Sequence, residues 1–256
     1  MSFPDDDGPS SSSGKGSGHI DYGYENLPDY RKVDWMIKLN EIDNMREFLR
    51  THALPEEGLP LQAAIQRSRD GAMVKLLLDH GCSFVTIPGA SPYLFQCLTC
   101  RAPVDSMRHL VNAGASVNEK NTHGNTLLYV AVCDVTRLDV IEFVISCRPD
   151  LNARSTLGRT AIHRLFYNTM IDLGNRYQVF IRLCNAGASI FATDSSGRAV
   201  EHYIDDAWKE GRIRDRATFE RYAAVIIRLH DRRDAEVRRE SRRMVRHVTK
   251  VQSRER

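Results

Sequence analysis

A short phrase that ends in a tight turn recurs four times along this chain of 256 residues. Each copy places an apolar stretch before the turn and a run of small or polar residues after it. The equivalent turn positions are Gly81, Gly114, Arg148 and Gly187, which lie 33, 34 and 39 residues apart. Because self-similarity at a period of about 20 to 50 residues is the signature of repeat architectures, this feature constrains the fold most strongly.

A second phrase runs in phase with the first. It begins with Gly and continues with a small residue or Thr before an apolar stretch. Its four copies begin at Gly89, Gly124, Gly158 and Gly197, and the last of them is the weakest. The two phrases are therefore locked together at a period near 33 residues.

Two phrases with this spacing resemble the ankyrin repeat. That repeat reads Gly-x-Thr-Pro-Leu-His, then a pair of small residues, then a Leu-rich helix ending in Gly-Ala-Asp-Val-Asn. The resemblance covers residues 33–230 as about five degenerate repeats. It implies an all-α solenoid of helix–turn–helix repeats with short β-turn fingers. In this pattern the Thr caps an inner helix, Gly ends the outer helix, and stacking closes a core that no single repeat can close.

The chain departs from the ankyrin pattern at several positions. Only His163 and His202 keep the motif His. Extra residues around 167–177 predict a lengthened inner helix or a longer helix–helix loop. In the last copy Glu201 replaces a core Leu, and a charged stretch over 205–216 separates the two helices. Any irregularity in stacking is therefore expected near the C-terminus.

Composition along the chain predicts three segments. Residues 1–26 are rich in Gly, Ser and Asp and have nothing to bury, so we expect a disordered leader. Residues 27–232 are expected to form the ankyrin-repeat domain, which opens with two short amphipathic helices between Val33 and His52. Residues 233–256 are expected to form an Arg-rich helical C-terminal extension.

No motif in the sequence supports an enzyme. Cys97 and Cys100 form a Cys-x-x-Cys pair, but no second pair supplies the other ligands of a tetrahedral zinc site, so we interpret Cys97 as a buried core residue. The resemblance gives His163 a structural role, hydrogen-bonded to backbone groups of an adjoining loop, instead of that of a general base. No phosphate-binding Gly-x-x-x-x-Gly-Lys motif occurs. We expect no catalytic residue, no metal and no cofactor.

The resemblance implies a partner bound at the finger tips and on the exposed face of the inner helices. The expected function is a non-catalytic protein–protein interaction scaffold or adaptor that binds its partner on the concave face of the array. His123, Arg159, Tyr167 and Arg198 are predicted to be the main anchors, because Arg and aromatic side chains carry most interface hot spots, and Arg159 and Tyr167 are predicted to be exposed. The candidate partner-binding residues are Asn121, His123, Asn125, Leu157, Arg159, Tyr167, Asn168, Ser196 and Arg198.

The basic character of the chain is concentrated at its C-terminus. The net charge is +3, but residues 228–256 carry eleven Lys or Arg and five Asp or Glu, a local net charge of +6. Three interpretations stay open for this segment: a solvated helical extension, a nuclear-import or nucleic-acid contact, and a helix that pairs with an acidic partner. The candidate nucleic-acid residues are Arg238, Arg239, Arg242, Arg243 and Arg246.

The remaining features bear on compartment and partners. No run of about 18 apolar residues could span a membrane, and the Asp-rich beginning of the chain is unlike a secretory signal. Six cysteines scattered through apolar helical patterns indicate reduced thiols. We therefore expect a monomeric cytoplasmic or nuclear protein that binds another protein. Its tail is expected to contact nucleic acid only weakly, and no membrane contact is expected.

Overall fold

The computed structural model describes residues 28–54, 60–67, 70–82, 91–134, 136–167 and 173–252. At residues 173, 174, 241 and 243–252 it describes the backbone alone. The predicted leader, residues 1–26, and the predicted binding residue Asn168 lie outside the described residues.

The described residues form twelve α-helices, and no β-strand occurs among them. The helices are α1 (Asp29–Leu39), α2 (Ile42–Thr51), α3 (Pro60–Arg67), α4 (Ala72–Asp79), α5 (Tyr93–Thr99), α6 (Val104–Asn112), α7 (Leu127–Ala131), α8 (Leu138–Ser146), α9 (Ala161–Tyr167), α10 (Leu173–Ala186), α11 (Val200–Lys209) and α12 (Arg216–Gln252).

The helices pack as successive pairs within two compact units, the first ending at Ala115 and the second beginning at Ser116. The first unit contains the pairs α1–α2, α3–α4 and α5–α6, and the second contains α7–α8, α9–α10 and α11–α12. Inside each unit the first helix of a pair packs on the first helix of the next pair, and the second helices pack likewise. We call the first helices inner and the second helices outer.

The recurring turn positions end the outer helices, as the sequence predicts. Gly114 follows α6 with a φ of 103°, a left-handed backbone that Gly adopts at little cost. Its counterpart after α8 is Arg148, which takes a φ of 53° despite its side chain. The Thr cap also forms: Thr126 Oγ1 accepts a hydrogen bond from the Tyr129 N–H at 3.3 Å and begins α7.

Two asparagines of the second unit join neighbouring repeats through the loops that follow the outer helices. Asn118 Oδ1 accepts a hydrogen bond from the Asp150 N–H at 2.8 Å. Asn152 Oδ1 accepts one from the Ser189 N–H, also at 2.8 Å. The same side chain at the same repeat position therefore ties each loop to the next, which adds directional contacts to the apolar stacking.

The extra residues of the fourth copy lengthen an outer helix. The sequence predicts a longer inner helix or a longer loop, but α9 ends at Tyr167 and α10 has 14 residues. The added N-terminal turns of α10 bring Tyr177 against Tyr222 of α12, with ring centroids 5.2 Å apart. Tyr222 is fully buried and also makes edge-to-face contacts with Phe166 and Phe180. This aromatic core fixes α12 against the α9–α10 pair.

The last helix pair stacks regularly despite its charged connection. The sequence predicts that residues 205–216 separate the helices, but α11 continues to Lys209, so only residues 210–215 connect the pair. Arg212 in this connection donates a hydrogen bond to the carbonyl oxygen of Phe166 near the end of α9. A cation near a helix C-terminus satisfies a carbonyl that has no partner within the helix. The charged residues therefore hold the last pair on its neighbour.

Candidate functional site

Three finger turns precede the inner helices of the second unit, and we number them in chain order: Lys120–Thr126, Arg154–Thr160 and Thr193–Ala199. Lys120 and Thr126 form an isolated antiparallel bridge, the β-turn geometry expected for a finger. The second and third fingers touch, because Arg154 donates to the carbonyl of Thr193 at 2.6 Å. Leu157, at the tip of the second finger, is 55% exposed.

The first and third fingers are held by an acceptor side chain at the same turn position. In the first finger, Asn121 Oδ1 accepts from the N–H groups of His123 and Asn125 at 3.0 and 3.1 Å. In the third finger, Asp194 Oδ1 accepts from the N–H groups of Ser196 and Arg198 at 2.8 and 2.9 Å. The side-chain oxygen of Asn121, a predicted binding residue, is therefore engaged in hydrogen bonds within its own turn.

The side chains of greatest interest lie where the second finger meets α9. The guanidinium carbon of Arg159 is 3.9 Å from the ring centroid of Tyr167, a cation–π contact. Its Nε donates to the Tyr203 hydroxyl of α11 at 2.9 Å. The guanidinium carbon of Arg164 is also near this ring, 5.7 Å from the Tyr167 centroid. Two arginines therefore lie close to one exposed tyrosine.

The contacts continue to both neighbouring helix pairs. Toward α7, Arg164 Nε donates to the Cys133 Sγ at 3.0 Å, and its guanidinium lies 5.7 Å from the Tyr129 ring. Toward α11, the guanidinium of Arg198 lies 4.9 Å from the Tyr203 ring and pairs with Asp206. We name Arg159, Arg164, Tyr167, Arg198 and Tyr203 the arginine–tyrosine cluster; its members lie on the inner helices α9 and α11 and on the two fingers that precede them.

Asp194 holds the Tyr203 side chain of this cluster in place through a hydrogen bond. Its Oδ2 accepts a hydrogen bond from the Tyr203 hydroxyl at 2.5 Å, and the residue is buried. Burial opposes ionisation, but the bonds from Tyr203 and from the N–H groups of Arg198 and Ser196 hold the pKa of Asp194 at about 2. The carboxylate is therefore charged at neutral pH and fixes the Tyr203 ring on which both Arg159 and Arg198 lie.

The structure brings together only part of the predicted binding set. Arg159, Tyr167 and Arg198 meet in the cluster, while His123, Leu157 and Ser196 are exposed on separate fingers and Asn125 is partly buried. Arg159 and Tyr167 were both predicted to be exposed. Tyr167 is, at 48%, but Arg159 is half-buried because its guanidinium stacks on one tyrosine and bonds another.

Sequence reasoning missed Arg164, Tyr203 and Asp194. Arg164 could have been found, because it precedes Tyr167 by three residues on a helix and therefore shares its face. Tyr203 and Asp194 carry no comparable signal. Their roles arise from contacts across helix pairs, and Arg159 and Tyr203 are 44 residues apart.

His163 has the structural position that the resemblance implies. It is fully buried, and its Nδ1 accepts a hydrogen bond from the Thr160 N–H at 3.2 Å, which closes the start of α9. Its ring lies edge-on to Tyr203 with centroids 5.2 Å apart. Burial lowers the pKa of His163, and backbone groups of Ala192 and Arg198 only partly oppose this.

The Cys-x-x-Cys pair is split between core and surface. Cys97 is fully buried in the first unit, in agreement with its interpretation as a core residue, whereas Cys100 is exposed after the end of α5. Across the described ranges, His, Cys, Asp and Glu side chains form no group of three or more that could hold a metal ion.

The Arg-rich segment continues α12 without a break to Gln252. Its last described side-chain contacts with the repeats are those of His230 and Arg233 with Phe191, at 4.8 Å between ring centroids and 4.4 Å from guanidinium to ring. Side chains from residue 234 to 240 are all exposed. Of the five candidate nucleic-acid residues, Arg238, Arg239 and Arg242 are exposed, and the side chains of Arg243 and Arg246 lie outside those described.

None of the helices within the described residues combines the length and the apolar content needed to cross a bilayer.

Comparisons with known proteins identify likeness in structure. No protein-family model matches the chain, and no curated protein matches its sequence. A crystal structure of an ankyrin repeat protein matches with a TM-score of 0.59 at 19% identity, over 77% of this chain and 98% of that one. An ankyrin repeat domain from Acinetobacter baumannii matches with a TM-score of 0.60 at 18% identity, over 77% and 98%.

A third match comes from a complex of two proteins. It belongs to the structure of a predatory endopeptidase from Bdellovibrio bacteriovorus with an immunity protein, and it has a TM-score of 0.54 at 19% identity. The match covers 74% of this chain and 96% of the other. At identities of 18 to 19%, these three structural similarities support a common fold and nothing further.

Proposed function

We propose that this chain, which has the ankyrin-repeat fold that its repeated phrases predict, is a non-catalytic scaffold or adaptor that binds another protein. The partner would bind across the inner helices of the second unit, on the arginine–tyrosine cluster and the adjoining finger tips. On this proposal the protein works as a monomer in the cytoplasm or nucleus and needs no cofactor.

The observation that carries the proposal is the pairing of Arg159 with Tyr167. Arg and Tyr are enriched among interface hot spots because they bury a large area and keep polar groups for the partner. Here Tyr167 is 48% exposed, while its ring is held by the guanidinium 3.9 Å away. A side chain that is already ordered loses less conformational entropy when a partner covers it.

The fold and one comparison add support of a general kind. Helix-pair repeats present long continuous surfaces, which such proteins commonly use for binding, although a fold alone does not define a function. One of the similar structures is a complex between an endopeptidase and an immunity protein. A structure of similar fold thus occurs in a protein–protein complex, which is consistent with a protein-binding role.

Co-purification from cells tests the proposal. Tagged wild-type protein is compared with Arg159→Ala/Tyr167→Ala, and with the matched control Tyr30→Ala/Arg31→Ala. The control removes the same two residue types from α1, where Tyr30 has a similar exposure of 47%. A partner retained by the wild type and the control but lost from the cluster variant supports the proposal. Equal recovery of every partner by all three proteins would place the binding surface elsewhere.

A second candidate function is contact with nucleic acid through the Arg-rich end of α12. The observation that favours it is the exposure of Arg238, Arg239 and Arg242 on a helix with no described side-chain contact to the repeats after Arg233. Neither Glu236 nor Glu240 forms an ion pair with a described side chain of this helix.

A further inference from the structure

The charges of the arginine–tyrosine cluster are not balanced within the described part of the chain. Arg198 has a carboxylate partner, Asp206. No described carboxylate pairs with Arg159 or Arg164: Arg159 donates to a tyrosine hydroxyl, and Arg164 donates to a thiol sulfur. Both guanidinium groups are half-buried beside the Tyr167 ring, where an added carboxylate would be screened less than on an open surface.

Among the described residues, the two carboxylates that contact the cluster are already engaged. Asp194 is buried and receives the Tyr203 hydroxyl together with two N–H groups of the third finger. Asp206 pairs with Arg198. The cluster therefore carries an excess of positive charge around one exposed aromatic ring. The ion pair between Arg198 and Asp206 shows that an arginine of this cluster can bind a carboxylate.

We infer that the partner presents an acidic segment, with Asp or Glu carboxylates that bind Arg159 and Arg164 while an adjoining residue covers the Tyr167 ring. This inference rests on the proposed function and specifies the chemistry of its partner. Guanidinium groups form two parallel hydrogen bonds with a carboxylate, which makes these pairs both strong and selective.

The neighbouring backbone argues for a carboxylate partner over a phosphate one. Proteins that bind phosphates commonly use free N–H groups at helix N-termini in addition to arginines. Here the N–H of Thr160, at the start of α9, donates to His163 Nδ1. The N–H of Ala199, at the start of α11, donates to His202 Nδ1. The N–H groups of these two cap residues are thus occupied, and the positive charge of the cluster is supplied by side chains.

Peptide selection tests the inference directly. A phage-displayed library of random dodecapeptides is selected on the full-length protein, and the best peptide is synthesised with a fluorescent label. Its affinity is measured by anisotropy for the wild type, for Arg159→Gln/Arg164→Gln, and for Arg214→Gln/Arg221→Gln. The last variant removes two exposed arginines from the same unit, outside the cluster.

We expect selected peptides to be enriched in Asp and Glu. The cluster variant should bind the best peptide at least about 10-fold more weakly, and the control variant should bind it within about twofold of the wild type. Replacing the acidic residues of the peptide by Gln should produce the same loss. Should the double variant unfold, Arg164→Gln alone gives up one hydrogen bond to a thiol and tests the same point.

Other outcomes overturn the inference in distinguishable ways. Apolar or basic peptides whose binding is lost in Tyr167→Ala would overturn the acidic partner and leave the proposed function standing. Absence of any enriched peptide, together with binding of a labelled DNA duplex that depends on Arg159 and Arg164, would overturn both. Binding of a phosphopeptide at least about 10-fold tighter than of its Glu-substituted form would replace the carboxylate by a phosphate.

Discussion

Asp194 Oδ2 accepts a hydrogen bond from the Tyr203 hydroxyl at 2.5 Å, while its Oδ1 accepts hydrogen bonds from two N–H groups of its own turn. One carboxylate thereby orders a finger and the inner helix that follows it. The Tyr203 ring held in this way lies beneath the guanidinium groups of Arg159 and Arg198. The proposed binding surface therefore depends on a buried residue that a partner would not touch.

Replacing Asp194 by Ala should lower the free energy of unfolding by about 2 kcal/mol or more, because the buried Tyr203 hydroxyl and two partly buried N–H groups lose their acceptor. Asp206→Ala is the control: it removes a carboxylate from the same unit whose pair with Arg198 is partly exposed, so its cost should stay below about 1 kcal/mol. Urea denaturation of both variants provides the measurement. Similar losses for the two would contradict the supporting role of Asp194.

His163 should make stability fall as the pH decreases below neutrality. Its pKa is lowered in the folded protein by burial, so the unfolded chain takes up the proton at a higher pH than the folded one. The contribution of His163 to the free energy of unfolding is therefore fully present above the ordinary pKa of about 6.5. It decreases as the pH falls below that value, by up to about 1.4 kcal/mol per pH unit.

Denaturation of the wild type and His163→Gln between about pH 7.5 and pH 5.5 measures this contribution of the buried imidazole. The pH dependence of stability should be weaker in the variant. His123→Gln, which removes an exposed imidazole from the first finger, is the matched control. Equal slopes for the wild type and His163→Gln would show that His163 is not the group responsible.

Gly158→Ala should destabilise the second unit more than Gly197→Ala. Both glycines have a left-handed backbone, with φ of 69° and 77°, which costs an Ala about 1 kcal/mol. A Cβ at Gly158 would also lie 2.7 Å from the backbone nitrogen of Ser195, whereas one at Gly197 meets no atom within 4 Å. The difference, expected to be at least about 1 kcal/mol, isolates the close approach of two fingers. Equal melting temperatures would exclude such an approach in solution.

The Arg-rich end of α12 should bind a labelled DNA duplex weakly and without sequence preference. If three arginines contact phosphates, affinity should fall about 40-fold between about 50 mM and about 200 mM salt, because each contact releases counterions. Arg238→Gln/Arg239→Gln/Arg242→Gln should abolish the binding, and Arg214→Gln/Arg216→Gln/Arg221→Gln should keep most of it. Micromolar or tighter binding that survives physiological salt and requires the first three would favour the nucleic-acid function.

The helix pairs could be predicted from the sequence because their ends recur. Turn residues such as Gly114 and Arg148 stand at equivalent places, so a worn copy is recognised from its neighbours. The lengthening of α10 had no such counterpart, and periodicity could not say which helix the extra residues extend. The extension of the outer helix α10 is accompanied by a contact between Tyr177 and the buried ring of Tyr222, which lies in another repeat.

The candidate site was predictable only by residue type and repeat position. The resemblance selected Arg159, Tyr167 and Arg198 as candidates, and the structure brings these three residues into one cluster. Whether an arginine on that face is free or engaged depends on side chains from the next repeat, such as Tyr203, and pattern matching within a repeat does not include them. The half-burial of Arg159 follows from that contact.

The loop hydrogen bonds of Asn118 and Asn152 have a consequence for how this chain tolerates insertions. They span 32 and 37 residues of sequence, yet both are 2.8 Å long. Additional residues inside one repeat are thus absorbed before the next junction, and the following repeat keeps its register. Foreign segments inserted between Tyr167 and Leu173 should accordingly leave the later helix pair in place, which makes this position suited to carrying a reporter tag.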